Sequence, residues 1–483
     1  WGENALAREL DFWDDNEERN NKVTTTTLEY FKLHLADSKE EKPYLPKGFD
    51  YRKAIKDFLK KMMELVKETL NKRWQELEMS QVRFVFTIPA QWQPEEIGIF
   101  QDCIYATEIV KDNLEFTTEP EAAALYCLSK MDEHNLSTGV VDSGGGTVDL
   151  TMRIILEDKA IGEITERSSA LCGSTYVDRK FIAFLEEKFG KDAIKRFKEN
   201  HYEEYQYLIH KFFCQHVKFG FTGEQSAFKK ITLDFNRICP KLKEYVNCCN
   251  IQMSFDDIKD MFDPVVETII NLIRGQLSSV SQRCSALFLV GGFSESYYLT
   301  KRIRDEFKNT VPYICVSPKP ITSVVRGAVM YGLNKSVIKY RILTMYYGVE
   351  VYPKWKKTDP KSRRTTDDRI YKFSCLARRG QKIELDKKCS GIYVPIYPDQ
   401  KSISFKVFAS PRYAEYCDDP GMKKIGTLRV NLPDVELGLD RPVKFSLMFG
   451  ELAITAVAVN KKNGKFYTAV FDYVKSDFDL ESH

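Results

Sequence analysis

Apolar residues recur at helical spacing between Asp50 and Glu78, where Ile55, Phe58, Leu59, Met62, Leu65, Val66 and Leu70 are separated by charged stretches. That period predicts an amphipathic helix. Val82 to Ile88 then alternates with period two and is closed by Pro89, the pattern of a strand. Pro94-Glu95-Glu96 opens the next helix, because proline is tolerated in a first turn and acidic groups there complement the helix dipole. From Gly139 the pattern becomes strand, glycine turn, strand: Gly139-Val140-Val141, then Asp142 to Thr147, then Val148 to Ile155. Residues 176 to 222 are mostly helical and highly charged. A long amphipathic helix follows at about 254 to 278, capped by Ser254, with Phe255, Ile258, Met261, Phe262, Val265, Ile269 and Ile273 on one side. Ala286 to Val290 is a short buried strand, Gly291-Gly292 a turn, and Ser294 starts another helix. This alternation predicts an α/β architecture.

After about residue 340 the pattern shifts to short alternating runs: Tyr347 to Tyr352, Tyr371 to Leu376, Ile392 to Tyr397, Ser402 to Phe408, Thr427 to Leu432, Val443 to Phe449 and Ala453 to Val459. Turn signals separate them, among them Pro398-Asp399, Asp419-Pro420-Gly421 and Asn463-Gly464. About seven strands at this spacing predict a β-sandwich. Pro353 to Arg369 is rich in Lys, Arg and Asp, and a solvated loop is favoured there over a basic binding patch.

A chain of 483 residues exceeds one hydrophobic core, so two or three domains are expected. The 72 basic and 69 acidic residues nearly cancel, which argues against nucleic acid as a partner. Twelve cysteines are scattered without a CxxC pair, and the six histidines form no HExxH pattern. No apolar stretch reaches the ~18 residues that span a bilayer, and no signal peptide opens the chain, so no membrane partner is expected. Reduced thiols in the cytoplasm are the simple expectation. The chain opens on Trp1, and a preceding N-terminal piece is expected.

The segment best suited to chemistry is Asp142-Ser143-Gly144-Gly145-Gly146-Thr147-Val148-Asp149. Three glycines between two strands let the backbone bend tightly and turn its N–H groups toward an anion. Asp142, at the end of the first strand, has the chemistry to hold magnesium through water, and Thr147 offers a hydroxyl near a terminal phosphate. Taken alone, a plain glycine-rich hairpin is about as good a reading. Upstream, Glu119-Pro120-Glu121-Ala122-Ala123-Ala124-Leu125 places a carboxylate before a helix of small side chains; a helix cap with an alanine packing face is its bland alternative. Downstream, Leu287 to Ser294 ends a buried strand in Gly291-Gly292, which lets a flat ring approach the backbone. Three such segments in this order are far more specific than any one of them.

Those segments resemble the 70 kDa heat-shock chaperone family, and within it the divergent heat shock 70 kDa protein 12 branch. The resemblance is carried by Phe86 to Ala90, Glu119 to Leu125, Val141 to Leu150, Leu289 to Phe293 and Arg326 to Gly332. It continues through Tyr347 to Glu350 and Leu376 to Ile383, and so covers nearly the whole chain. It implies a two-lobed, actin-like (ribonuclease H-like) nucleotide-binding domain at about 1 to 338, with lobe I at about 1 to 137, lobe II at about 138 to 318 and a return helix at 320 to 336. A β-sandwich at about 345 to 478 follows. By the same resemblance Asp142 would hold Mg2+ through water, Gly144, Gly145, Gly146, Thr147 and Gly173 would approach phosphates, and Glu119 would sit beside the metal. Lys32 is the candidate for a lysine assisting hydrolysis, with a surface helix lysine as the alternative; Lys218, Gly291 and Gly292 would face the nucleoside. Tyr393, Ile403 and Phe405 would border a cleft for extended apolar peptides, although sandwich core is the favoured reading for each.

The chain also departs from the family. The first phosphate loop of the family, of the Asp-x-Gly-Thr-Thr type, is not recognisable in the sequence from Trp1 to His483 and is expected upstream of it, and no helical lid is recognisable between the last strand and His483. Glu295 falls where an adenine-stacking arginine is usual and Ile97 where an interlobe arginine is usual, and no acidic, leucine-rich linker is recognisable between Asn334 and Tyr346. The expected function is ATP- or ADP-dependent, chaperone-like action with peptide and co-chaperone partners. Rivals are a non-catalytic nucleotide-sensing scaffold and, at about one in twenty, a sugar kinase of the same fold. A Walker P-loop enzyme is excluded because no GxxxxGK[ST] occurs.

Overall fold

In the computed structural model residues 28–472 are described, apart from 30, 36–41, 43–44, 46–47, 91, 93, 108, 110–112, 130, 132–135, 158, 281, 385–386 and 451–452. The expected extents 1 to 338 and 345 to 478 therefore each run partly outside the described residues.

The first part holds helix α1 (Tyr51–Arg73), strand β1 (Phe84–Ile88), helix α2 (Pro94–Tyr105), strand β2 (Leu114–Thr118) and helix α3 (Glu119–Leu128). Strands β1 and β2 form a parallel pair in register from Phe84↔Leu114 to Ile88↔Thr118. Pairing of parallel strands requires a crossover, which α2 supplies. Ile55, Leu59, Ile88, Trp92, Ile104 and Phe116 make the core of this part.

The central sheet begins with the antiparallel meander β3 (Ser137–Ser143), β4 (Val148–Ile155) and β5 (Ile161–Glu163), with β6 (Ser168–Ala170) beside β4. Helices α4 (Thr175–Phe189) and α5 (Lys191–Asn200) follow, then a further helical run to Lys218 and a small hairpin, β7 (Ile231–Asp234) with β8 (Asn250–Met253). Helix α6 (Phe255–Ser278) starts where Ser254 Oγ accepts the Asp257 N–H at 3.1 Å, so the expected cap is present. Strands β9 (Ala286–Val290) and β10 (Tyr313–Val316), separated by α7 (Tyr297–Phe307), extend the sheet in parallel from β3. The largest core lies here, with Phe181 and Phe213 stacked 4.1 Å apart and Phe262, Ile269 and Ile273 fully buried.

Helix α8 (Ser323–Leu333) returns to the first part and lies on α3. The two approach so closely that a Cβ on Gly327 would fall 1.6 Å from the Ala122 carbonyl oxygen. This is why the sequence runs to three alanines on one helix and Gly-Ala on the other. Beyond it, the segment in which no linker was recognisable forms strand β11 (Ile338–Ile342), which pairs in parallel with β5.

From Tyr346 onward two four-stranded antiparallel sheets share one apolar core, which includes Val349, Val407, Val430, Phe445, Leu447 and Ile454. One contains β12 (Tyr346–Val351), β13 (Lys372–Ala377), β16 (Ser402–Ser410) and β17 (Lys423–Asn431). The other contains β15 (Cys389–Tyr393), β18 (Val443–Phe449), β19 (Ala453–Asn460) and β20 (Phe466–Asp472). Strand β14 (Lys382–Glu384) leaves this region to pair with β11, which places it on the central sheet. The expected run at Ile392 to Tyr397 starts earlier and ends at Tyr393, before Pro395, whose missing N–H cannot join a ladder. The mixed α/β organisation, with its several sheets, fits an actin-like, heat-shock-70-type fold.

Candidate functional site

The triple-glycine segment is the turn of the β3–β4 hairpin, with Asp142 paired opposite Asp149 and Ser143 opposite Val148. The Gly144 N–H donates to the Thr147 carbonyl at 3.0 Å and closes the bend. The loop entering α4 packs behind it. N–H groups of Gly173, Ser174 and Thr175 donate to the carbonyls of Gly146, Gly144 and Gly145 at 3.2, 3.0 and 2.9 Å. With its carbonyls engaged on that side, the bend has its amide side left to offer an anion. A Cβ on Gly173 would lie 2.3 Å from the Gly145 oxygen, so only glycine permits this approach.

The third glycine segment closes on the same point. Gly291 has φ +81°, and a Cβ there would stand 2.4 Å from both Asp142 Oδ1 and the Ser143 carbonyl oxygen. Gly292 lies next to Ile321. The segments read separately from sequence thus meet around one carboxylate.

Glu119 is the first residue of α3, and its Oε1 accepts from Lys32 Nζ at 2.5 Å. The Lys32 ammonium also stands 5.5 Å from the Trp92 ring centroid. Burial pushes the Asp142 carboxyl well above the usual carboxylate range, and Glu119 and Asp149 push it further while Lys32 opposes them. Burial and Glu119 likewise raise Asp149 to about 6, against the nearby Ser169 and Thr147 hydroxyls. Three carboxylates therefore act on one another with one ammonium among them, an arrangement that a bound cation would relieve. Among the described residues no three His, Cys, Asp or Glu side chains converge to ligate an ion directly. An ion held through water, as expected for Asp142, is compatible with that spacing. Ser143 Oγ, Asp149 Oδ1 and Thr175 Oγ1 are buried here without a hydrogen-bond partner, and polar atoms so placed favour a polar ligand.

Lys218 is buried, bonded through Nζ to Asp178 Oδ1 at 2.6 Å and to the Ser174 carbonyl at 3.3 Å. It fastens the start of α4, behind the glycine bend. Glu295 is exposed just after Gly292, and Ile97 is buried. Tyr393, Ile403 and Phe405 lie elsewhere, in the C-terminal sheets: Phe405 is buried and stacks on Phe445 at 4.5 Å, Tyr393 meets Phe405 edge-on at 5.3 Å, and Ile403 packs partly on the same core.

Two features of the site were missed in the sequence. Asp149 was quoted but given no role; its signal was symmetry, since a hairpin pairing Ser143 with Val148 must bring Asp149 opposite Asp142. The second is a buried ion network below α3. Glu121 accepts from Arg341 at 2.9 and 2.7 Å and from Arg167 at 3.3 Å, with Arg153 at 3.6 Å. Glu163 binds Arg153 and Arg167, and accepts the Ile342 N–H at 2.9 Å. Burial opposes ionisation of Glu121, but the guanidinium of Arg341, followed by those of Arg167 and Arg153, holds it well below the usual carboxylate range.

No protein-family model matches the chain. Among curated proteins it is similar to Heat shock 70 kDa protein 12A of Homo sapiens, with 25% identity over 504 aligned residues that cover 85% of this chain and 73% of the relative. The Mus musculus protein of the same name gives the same identity and coverage. Heat shock 70 kDa protein 12B of Homo sapiens is 23% identical over 496 aligned residues, covering 83% of this chain and 71% of the relative. The resemblance to the divergent protein 12 branch of the 70 kDa heat-shock family thus extends over most of the chain.

Proposed function

We propose that this protein binds ATP with Mg2+ in a cleft between two actin-like lobes and uses it for chaperone-like control of a C-terminal β-sandwich. In this reading residues 1 to 338 form the nucleotide-binding domain and 345 to 478 the sandwich. The observation supporting it is the packing of Gly291 on Asp142 and of Gly173 on the glycine bend that follows Asp142, with Asp149 and the Lys32-paired Glu119 acting on the same buried carboxyl.

Magnesium would neutralise the charge that develops on the phosphates. Asp142, with Asp149 and Glu119 nearby, would hold the ion through its water shell. Amides of Gly145, Gly146 and Thr147 would cradle the phosphates, Gly144 would approach them while its own N–H closes the bend on the Thr147 carbonyl, and the close approach at Gly173 fixes that bend. Glu119, anchored by Lys32, is suited to orient an attacking water in line with the terminal phosphate. Gly291 and Gly292 would accept the nucleoside, while Lys218 serves by stiffening the start of α4. Tyr393, Ile403 and Phe405 are proposed to border the peptide cleft, with Phe405 contributing through the core beneath it.

A second reading, a nucleotide-sensing scaffold without turnover, is favoured by Glu295 and Ile97, which leave the adenine side and the interlobe switch without their usual arginines. Calorimetry with Mg-ATP, followed by a phosphate-release assay, separates the two. The enzyme reading expects saturable binding and slow Mg-dependent turnover that falls at least tenfold in Thr147→Ala. Binding without turnover supports the scaffold, and absence of adenine-nucleotide binding removes both. Peptide binding that leaves nucleotide affinity and turnover unchanged removes the chaperone part.

A further inference from the structure

Where the first part, the loop that follows β5, strand β11 and the C-terminal sheets come together, the fold leaves a cavity of about 610 Å3. That volume suits a small organic molecule. Ile88, Trp92, Ile97, Leu343, Tyr347 and Phe449 line it, all of them buried, so most of its wall is apolar.

The arginines of that wall are already engaged. Arg167 is bonded to Glu163 at 2.7 Å and to Thr118 Oγ1 at 2.9 Å, and Arg341 to Glu121 at 2.7 Å. Arg379 is bonded to Glu166 at 2.7 Å and to the Pro411 carbonyl at 3.0 Å. Each guanidinium thus has a carboxylate of the protein beside it, and none calls for a charge on a ligand. An ionised ligand would shed its water on entering an apolar space and meet counter-charges that are bound elsewhere, which is costly. The occupant that fits is neutral.

Trp92 adds one polar requirement. It is 8% exposed, with Lys32 Nζ 5.5 Å from its ring centroid and Phe100 edge-on at 5.4 Å. Its indole N–H makes no hydrogen bond among the described residues. A buried tryptophan N–H ordinarily has a partner, and because indole nitrogen only donates, that partner is an acceptor.

We propose that this cavity binds a neutral, largely apolar molecule that carries one hydrogen-bond acceptor, such as a ketone or ester carbonyl. Its body lies among Ile97, Leu343, Tyr347 and Phe449, and its carbonyl oxygen accepts the Trp92 N–H. The occupant touches stretches that are far apart in the chain, so it braces strand β11 and the C-terminal sheets against the loop that follows β1. This inference stands apart from the nucleotide reading and does not depend on ATP being bound.

Three probes of nearly one shape test it in calorimetric titrations of the full chain: 4-phenylbutan-2-one, butylbenzene (carbonyl replaced by CH2) and 3-phenylpropanoate (acetyl replaced by carboxylate). The ketone and the hydrocarbon are expected to bind saturably at one site, and the anion at least tenfold more weakly than the ketone. Ala90→Trp, which fills the cavity from its wall, should abolish binding of all three. Trp92→Phe should weaken the ketone about fivefold, the worth of one neutral hydrogen bond, and leave the hydrocarbon within about twofold. On the native chain the ketone should also move one tryptophan indole N–H proton resonance downfield, a shift that butylbenzene should not produce. That measurement decides the role of Trp92 even if Trp92→Phe fails to fold. Binding of the anion as tight as that of the ketone overturns the proposal. So does undiminished binding in Ala90→Trp, equal effects of Trp92→Phe on ketone and hydrocarbon, the same indole shift with both, or absence of saturable binding by the native chain.

Discussion

Asp149 faces Asp142 across the hairpin, and its burial beside Glu119 has a measurable consequence. Its carboxyl is raised to about 6, above the ~3.9 of an unfolded chain. Between those values the folded state binds more protons than the unfolded one, so stability falls as pH rises from about 4 to about 6 and stays lowered above that. Asp149→Asn should therefore stabilise the nucleotide-free chain at pH 7 by roughly 2–3 kcal/mol, with the gain vanishing near pH 4. Urea unfolding at the two pH values measures this, and an equal effect at both would refute it. Under the proposed function, the same carboxylate would be steadied by the magnesium held beside Asp142.

Helices α3 and α8 meet without room for a single added methyl group. Gly327→Ala would place a Cβ against the Ala122 backbone, and strain of that kind costs about 1–3 kcal/mol or more. Thermal unfolding of this variant should show the loss, whereas Gly275→Ala, with open space around its Cβ on α6, should not. The alanine run already spelled out this contact, because only small side chains let two helix backbones touch. Glu121, two residues beyond Glu119, looks in the sequence like another acidic residue in a first turn. The fold instead buries it among three arginines, and Glu121→Ala, by leaving them uncompensated, should cost about 3–5 kcal/mol in urea unfolding. An unchanged midpoint would show that water reaches the network.

At the scale of the whole molecule, strand β11 joins its two ends. It pairs with β5 through only Ile338↔Ile161 and Tyr340↔Gly162, and with β14 through three residue pairs. The Tyr340 ring lies over Gly162, where a Cβ would fall 2.1 Å from the ring, and Lys382 Nζ stands 3.3 Å from the ring centroid on its other contact. The Arg341–Glu121 pair adds a side-chain tie to so short a ladder, beside the Ile342 N–H bond to Glu163. Arg341→Met should therefore speed hydrogen exchange of the 338–342 amides at least tenfold while leaving β3 and β9 protected. Equal protection would mean that the backbone ladder alone suffices.

Local chemistry in the sequence was enough to determine the α/β alternation, the strand-rich C-terminal third, the cap at Ser254 and the glycine bend beside Asp142. Each depends on period, on backbone freedom or on a cap made by near neighbours. Tertiary structure alone decided which partners distant charges take. Lys218 could not be read as bound to Asp178, nor Arg341 as bound to Glu121, because those pairs span 40 and 220 residues and exist only once the sheets have closed. For the same reason Ile338–Ile342, inside a segment that carries no linker signature of its own, became a strand: an open sheet edge and a buried carboxylate, both formed elsewhere in the chain, gave it its conformation.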